Sequence, residues 1–287
     1  MKTLLVIAGP TAVGKTAYCV GLAKKLDTDV VSADSRQFYR ELTIGTAKPT
    51  PEEMRGVTHH FIDSHSIAET YNAGQYERDC LKLLDELFRK KDVVILTGGS
   101  GLFLKVVTDG MDEMPDPDPE LRQKLRERLE TEGLPALLEE LQRLDPVFYE
   151  KIDRQNPVRV LRALEVCLTT GQPYSSLRTG KKAERPFATQ KICLTRPRES
   201  LYARIDARMD AMLAAGLVEE ARSLLPYRHH NALQTVGYQE VFGFLDGAYD
   251  YNEMVRLLKR NSRRYAKRQM TWFRNQGDFQ EVVSSQE

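Results

Sequence analysis

Gly9-Pro10-Thr11-Ala12-Val13-Gly14-Lys15-Thr16 fits the pattern GxxxxGK[ST] at every fixed position. Its surroundings decide the fold. Ahead of it, Thr3 to Ala8 is a continuous apolar run of strand length; behind it, Lys15 to Leu26 carries helical spacing. A strand, a Gly-rich turn and a helix opening on Lys-Thr are the setting in which this pattern binds phosphate. The glycines let backbone N–H groups wrap phosphate oxygens, and the helix N-terminus adds partial positive charge. Lys15 supplies a point charge, and the Thr16 hydroxyl is a ligand for Mg2+ or a phosphate oxygen. The motif predicts a bound polyphosphate. By itself it reads as a nucleotide- or ATP-binding loop and leaves the ligand open.

Outward from this loop the elements alternate. Asp29 to Ala33 is a second short strand, and Tyr71 to Lys91 repeats apolar residues at Tyr76, Cys80, Leu83, Leu84, Leu87 and Phe88, the spacing of one helix face. Asp92 to Leu96 is a third buried strand, expected to halt at Thr97-Gly98-Gly99. Strand and helix in alternation predict a parallel sheet with helices on its faces. The texture then changes at Met114-Pro115-Asp116-Pro117-Asp118-Pro119, which cannot continue a helix or a central strand. Helical patterns fill Glu120 to about Thr170, Gly171-Gln172-Pro173 ends them, and Thr179 to Pro186 reads as a polar loop. Lys191 to Thr195 looks like another core strand, followed by helices at Leu201 to Leu225 and Asn252 to Arg274. The expected fold is α/β, a P-loop NTPase-like parallel sheet with flanking helices plus an inserted all-α domain. Residues 1–111 and 191–287 form the core, and 112–190 the insertion.

Composition narrows the class. Over 287 residues, 42 Lys and Arg against 41 Asp and Glu leave a net charge of +1, which argues against a protein that coats nucleic acid by bulk charge. No run approaches the ~18 apolar residues of a membrane span, and the apolar N-terminus reads as a strand, with no small-residue cleavage site after it. Cys19, Cys80, Cys167 and Cys193 are scattered without a CxxC pair, so neither a disulfide framework nor a zinc site is suggested, and a reducing, cytoplasmic setting is expected. His59-His60 and His229-His230 lack a third ligand at metal spacing and read as packing or loop-bonding residues.

Two details separate this loop from that of a standard ATPase. The acid that would hold Mg2+ after the third strand is missing, because Thr97 stands there, followed by Gly98-Gly99-Ser100-Gly101. A carboxylate does stand at the end of the second strand, in Ser32-Ala33-Asp34-Ser35-Arg36-Gln37. Ligands of open parallel sheets bind outside the carboxyl ends of the strands, so Asp34 and Ser100 are both expected at the phosphate crevice. Asp34 could also cap a helix, and the two roles are compatible. Asp34, Ser35, Arg36 and Gln37 together offer an acceptor, a hydroxyl, a guanidinium and an amide, suited to the edge of an adenine turned out of its stack. This is the layout of a P-loop transferase passing a group to a second substrate.

With those residues in place, the chain resembles the tRNA dimethylallyltransferase (isopentenyl-tRNA transferase, IPP transferase) family, in its compact bacterial form. The resemblance is carried by the P-loop, by Ser32 to Gln37, Thr58-His59-His60-Phe61-Ile62-Asp63 and Gly98-Gly99-Ser100-Gly101-Leu102-Phe103. It continues in Arg159-Val160-Leu161-Arg162-Ala163-Leu164-Glu165, in Arg208-Met209 with Gly216 to Glu220, and in Val236-Gly237-Tyr238-Gln239-Glu240. The family more often has Thr at the place of Ser100 and Tyr at that of Phe103. The resemblance implies transfer of a dimethylallyl group from dimethylallyl diphosphate to N6 of adenosine 37 in tRNAs reading codons that start with U, giving N6-dimethylallyladenosine and diphosphate. It implies that Gly9 to Thr16 hold the diphosphate, with Lys15, Thr16 carrying Mg2+, and Arg208 taking its charge. Asp34 would be the general base and Ser100 would help position substrate.

The same resemblance implies that the insertion holds the anticodon stem-loop. Arg122 and the run Val158, Arg159, Val160, Leu161 and Arg162 match the family's RNA-contacting positions, as do Asp34, Ser35, Arg36, Gln37 and Ser100. It also implies a cytoplasmic monomer with no membrane partner. Lys259, Arg260, Arg263, Arg264, Lys267, Arg268 and Arg274, with Tyr265, Trp272 and Phe273 among them, read as a phosphate-tracking surface. A small P-loop kinase acting on a nucleoside or metabolite, with Asp34 on the acceptor hydroxyl, is the alternative enzyme; a non-catalytic RNA-binding module with a vestigial P-loop is a third reading.

Overall fold

The structure is a computed structural model that describes residues 1–116, 118–276 and 278–284. Pro117, inside the expected linker, lies outside the described residues. Two compact units divide the chain, Met1–Asp109 with Glu184–Glu287, and Gly110–Ala183.

The first unit begins β1 (Thr3–Ala8), α1 (Lys15–Leu26), β2 (Val30–Ser32), α2 (Pro51–Met54), β3 (His59–His60), α3 (Ala73–Phe88), β4 (Val93–Gly98) and α4 (Gly101–Asp109). The second unit holds α5 (Pro119–Thr131), α6 (Gly133–Leu144), α7 (Pro146–Tyr149), α8 (Pro157–Thr170) and α9 (Tyr174–Leu177). The first unit resumes with β5 (Ala188–Thr195), α10 (Arg198–Ala214), α11 (Leu217–Ser223), α12 (Tyr238–Leu245), α13 (Tyr251–Asn275) and β6 (Gln280–Val283).

The six strands form one sheet in the order β3-β2-β4-β1-β5-β6, every pairing parallel. Its central strand β1 is apolar from Leu4 to Ala8 because it is covered on both faces. Leu4, Val6 and Ala8 pack with Leu84, Leu104 and Phe273 on one side, while Leu5 and Ile7 pack with Cys19, Ala23 and Ile205 on the other. This is the two-residue alternation of a strand, and it leaves the carboxyl end of β1 as the opening to the P-loop.

The helical unit has its own core, in which Leu125, Leu137, Leu141, Val160, Ala163 and Leu164 are fully or almost fully buried. Asp145 closes it at one end: wholly buried, it accepts from Phe148 N at 2.9 Å and from both N and Oγ of Ser175 at 2.6 and 2.7 Å. A buried carboxylate needs such donors, and here it has three.

The structure corrects several boundaries. β4 runs on through Thr97 and Gly98, because both continue the register with β1, opposite Ile7 and Ala8. The helix expected over Leu201–Leu225 is two helices, since Gly216 adopts φ 101°, outside helical space. Residues 184–190, read as insertion, belong to the sheet unit: β5 starts at Ala188, and Arg185 donates to the carbonyls of Val106 at 2.7 Å and Val107 at 3.0 Å near the end of α4. The short strands β3 and β6 and the helices α2, α4 and α12 were not expected from the sequence.

Candidate functional site

The site lies at the carboxyl end of the sheet, where the segments after β1, β2 and β4 meet α10 and α13. The P-loop takes a backbone path that few residues allow. Gly14 precedes α1 with φ 109°, and Ala12 sits at φ 64°, the left-handed backbone from which anion-binding concavities are built. Lys15 Nζ donates to the carbonyls of Gly9 and Pro10, both at 2.9 Å, holding the ammonium over the loop. Burial lowers its pKa from 10.5 to about 8; Asp34 opposes this and Arg208 adds to it. Thr16 follows Lys15 in the first turn of α1, half-buried.

α10 supplies two arginines. Arg208 Nη1 donates to Thr11 Oγ1 at 3.4 Å, and burial lowers its pKa, with neighbouring Arg204 pushing the same way. Arg204 Nε donates to Ala12 O at 3.1 Å. One turn apart, the two place a concentrated positive field on the loop, which only an anion relieves. Sequence reading found Arg208 and missed Arg204; the i, i+4 spacing on one helix was the available signal.

The turn after β2 carries the carboxylate. Asp34 Oδ1 accepts from Arg36 N at 3.0 Å, so this side chain organises its own turn while its charge acts on Lys15. Ser100 Oγ accepts from Ser35 N and donates to Ser35 Oγ, both at 3.1 Å, tying the turn after β2 to that after β4. Arg36 is half-buried, and burial lowers its pKa against the opposing effects of Tyr39, Asp34 and Tyr265. Gln37 differs from expectation. Its Nε2 donates to the carbonyls of Thr46 and Ala47 at 3.2 and 3.1 Å, so the amide nitrogen shapes the following loop and is not offered to a base edge. That loop is pinned again by Glu220, which accepts from the N–H groups of Thr43, Ile44 and Gly45 at 2.8–3.1 Å.

α13 roofs the site, which the sequence did not disclose. Gln269, almost fully buried, accepts from Thr11 N at 2.9 Å and donates to Gly99 O at 2.9 Å. Four residues earlier on the same face, Tyr265 lies beside Ser100 and Asp34; burial and then Asp34 push its phenol up to about 12. Three residues after Gln269, Trp272 lies so close to Gly101 that a Cβ there would come within 2.3 Å of the indole. The basic run on α13 is partly spent within the unit: Lys259 pairs with Asp210 and Arg263 with Asp206. Arg264, Lys267 and Arg268 remain exposed.

Thr97, where an acid was missing, donates to Ile7 O at 2.9 Å and so joins β4 to β1. Of the histidines, His60 Nε2 lies 2.9 Å from Asp29 Oδ2, and His59 and His230 bond through Nδ1 to the carbonyls of Val57 and Ile67 at 2.9 and 3.0 Å.

The expected RNA-contacting residues of the helical unit fall into two groups. Val158 and Arg159 are exposed at the start of α8, and Arg122 and Arg162 are partly exposed. Val160 is fully buried and Leu161 packs against the same core, so Val160 has no side-chain surface to offer; it faces inward because α8 buries one stripe.

The fold and the motif together define a P-loop enzyme of the transferase kind, with a GxxxxGK[ST] loop after β1, a carboxylate after β2 and no acid directly after β4. The chain belongs to the IPP transferase family, whose model matches residues 37–276. It is 59% identical over 272 residues to the tRNA dimethylallyltransferase of Cytophaga hutchinsonii, covering 95% of this chain and 90% of that protein. It is 46% identical to tRNA dimethylallyltransferase 1 of Bacteroides thetaiotaomicron, covering 100% and 93%. Among solved structures, the tRNA isopentenylpyrophosphate transferase of Bacillus halodurans superimposes with a TM-score of 0.72 at 38% identity, covering 99% of this chain and 90% of that one. A eukaryotic dimethylallyltransferase captured acting on tRNA gives 0.82 at 26%, covering 99% and 74%.

Proposed function

We propose that this protein transfers a dimethylallyl group from dimethylallyl diphosphate to N6 of adenosine 37 in tRNAs reading codons that begin with U. The observation that carries the reading is that Lys15, at the end of the P-loop after β1, and Asp34, after β2, interact electrostatically at the carboxyl edge of the sheet, in a chain of this family. A kinase is less well supported, because no acid follows β4.

The diphosphate lies in the P-loop, its oxygens on the loop N–H groups, Lys15 and Arg208. Thr16 fits Mg2+: among the described residues its hydroxyl makes no hydrogen bond, and Mg2+ characteristically takes one or two protein oxygens, filling its octahedron from phosphate and water. When bound, the metal would neutralise charge on the leaving diphosphate. The N6 amine attacks the allylic carbon as its C–O bond to diphosphate breaks. The electron pair of that bond leaves with diphosphate, and Asp34 accepts the N6 proton. Catalysis is then positioning plus stabilisation of charge developing on the leaving group, to which Lys15, Arg208 and Arg204 all contribute. Asp34, Ser35, Arg36 and Ser100 receive the adenosine. In the helical unit, Arg122, Val158, Arg159 and Arg162 contact the anticodon stem-loop. The protein acts as a cytoplasmic monomer; among the described residues no helix is long and apolar enough to cross a membrane.

The purified protein, dimethylallyl diphosphate, Mg2+ and an unmodified tRNA with adenosines at 36–38 are expected to yield diphosphate and prenylated tRNA. Phosphate transfer from ATP without prenylation would replace this reading with the kinase.

A further inference from the structure

The helical unit buries a second carboxylate besides Asp145, and the reaction has no use for it. Glu165, on α8, is 2% exposed. Its Oε2 accepts from Arg122 Nη2 at 2.7 Å and from Arg162 Nη1 at 2.9 Å. Arg162 Nη2 also donates to Pro115 O at 2.9 Å, so the cluster joins α5, α8 and the segment before α5. Glu165 Oε1 is equally buried and has no hydrogen-bond partner among the described residues. The two arginines keep access to solvent, with side chains 37% and 28% exposed.

As a stabiliser of the fold this arrangement is poor. A carboxylate taken out of water with one oxygen unused carries a desolvation cost that its ion pairs only offset, and an apolar residue of similar size commonly serves as well. What the cluster secures is direction and charge. A free arginine samples many rotamers before it can bind; these two are already fixed against one oxygen. Each guanidinium has five N–H donors; Arg122 spends one in this cluster and Arg162 two, leaving donors on their partly exposed sides. Two positive charges are also reduced to a net of one.

We propose that Glu165 is a positioning residue for RNA recognition, holding Arg122 and Arg162 as a pre-set pair of forks whose outward N–H groups meet acceptor atoms of a single-stranded RNA loop. The inference rests on the reading above that the helical unit contacts the anticodon stem-loop. Its consequence runs against simple electrostatics. Removing the carboxylate raises the local positive charge by one, which strengthens non-specific binding and steepens its salt dependence. It also releases the two forks, which weakens binding to the structured loop.

The test measures binding of the full-length protein to two RNAs over a range of salt, an unmodified anticodon stem-loop and an oligouridylate. Glu165→Gln is expected to weaken the stem-loop about tenfold, the size of one charge-assisted hydrogen bond, while tightening the oligouridylate two- to threefold with a steeper salt slope. Glu165→Leu, which fills the site without polar atoms, is expected to act in the same two directions and covers the case in which the glutamine variant fails to fold. In turnover, either variant raises KM for tRNA by more than it lowers kcat. Tighter binding of both RNAs would make Glu165 a charge screen only, and unchanged binding of both would make it structural; either result overturns the proposal. Arg122→Ala with Arg162→Ala separates the two levels. If that double variant binds the stem-loop normally, the RNA-contacting role of this unit fails; if it binds weakly while Glu165→Gln does not, only the positioning role fails.

Discussion

Gln269 accepts a hydrogen bond at 2.9 Å from the backbone N–H of Thr11, a residue 258 positions earlier. The same amide donates to Gly99 O, so one side chain satisfies two backbone groups of the phosphate site. Gln269→Leu keeps the volume and leaves both groups without a partner. Each such loss costs about 1–3 kcal/mol, about 2–6 kcal/mol for the two, and at about 2–4 °C per kcal/mol for a chain of this size class the melting temperature is expected to fall by roughly 4–24 °C. Calorimetry checks this, and diphosphate affinity measured on the folded variant should fall too. A variant with unchanged melting and affinity would remove Gln269 from the site.

Lys15 predicts a pH signature. Burial holds its pKa near 8 in the ligand-free protein, and a bound diphosphate favours the charged form. Between about pH 8 and the ordinary lysine value of 10.5, the free protein therefore carries fewer protons than its complex, and binding takes up a proton. Affinity for diphosphate should fall as pH rises through about 8. For folding without ligand the sign is opposite: the unfolded chain binds more protons in this window, so stability rises with pH across it. Titration calorimetry at pH 9 in two buffers of different ionisation enthalpy measures the uptake. Lys15→Arg, charged throughout, should show none of it.

Asp34→Asn separates base from scaffold. The asparagine oxygen can still accept from Arg36 N, as Asp34 Oδ1 does at 3.0 Å, so the turn should persist while the proton acceptor is lost. The single-turnover rate is expected to drop by about 10²–10⁴, with tRNA affinity within a few-fold of the parent. Matching losses in rate and affinity would assign Asp34 to binding alone.

Tyr265→Phe removes one hydroxyl beside Ser100 and Asp34. A polar contact of that hydroxyl with the adenosine or with Ser100, worth about 1 kcal/mol, corresponds to roughly a fivefold fall in kcat/KM. Because the phenol is held up at about 12, the parent and variant pH profiles should run parallel below pH 10. A divergence there would mean that Tyr265 itself gives up a proton.

The P-loop, β1 and the residues after β2 and β4 were legible in the sequence because each is encoded locally: an apolar run, a fixed glycine spacing, a polar cluster where a strand ends. Tyr265, Gln269 and Arg204 were not. They reach the site from helices distant in sequence, and a helix pattern announces its buried stripe without naming what that stripe covers. The basic run on α13 was visible as charge, yet Asp206 and Asp210, which neutralise Arg263 and Lys259, come from α10. Val160 was misread for the related reason that a motif marks a stretch of chain, whereas a helix sends alternate parts of that stretch inward. Strands β3 and β6 escaped because two and four residues give periodicity almost nothing to register.

The bond between Thr11 and Gln269 also has a meaning in time. Domains fold as the chain emerges, at about 5–20 residues per second, so the 258 positions between these residues represent roughly 10–50 s of synthesis. Over that interval the nascent chain carries the phosphate loop at first without Arg208, then without Tyr265, and to the end without Gln269. The first segment made is the last to become competent, and a chain released before α13 is complete holds the motif without its roof.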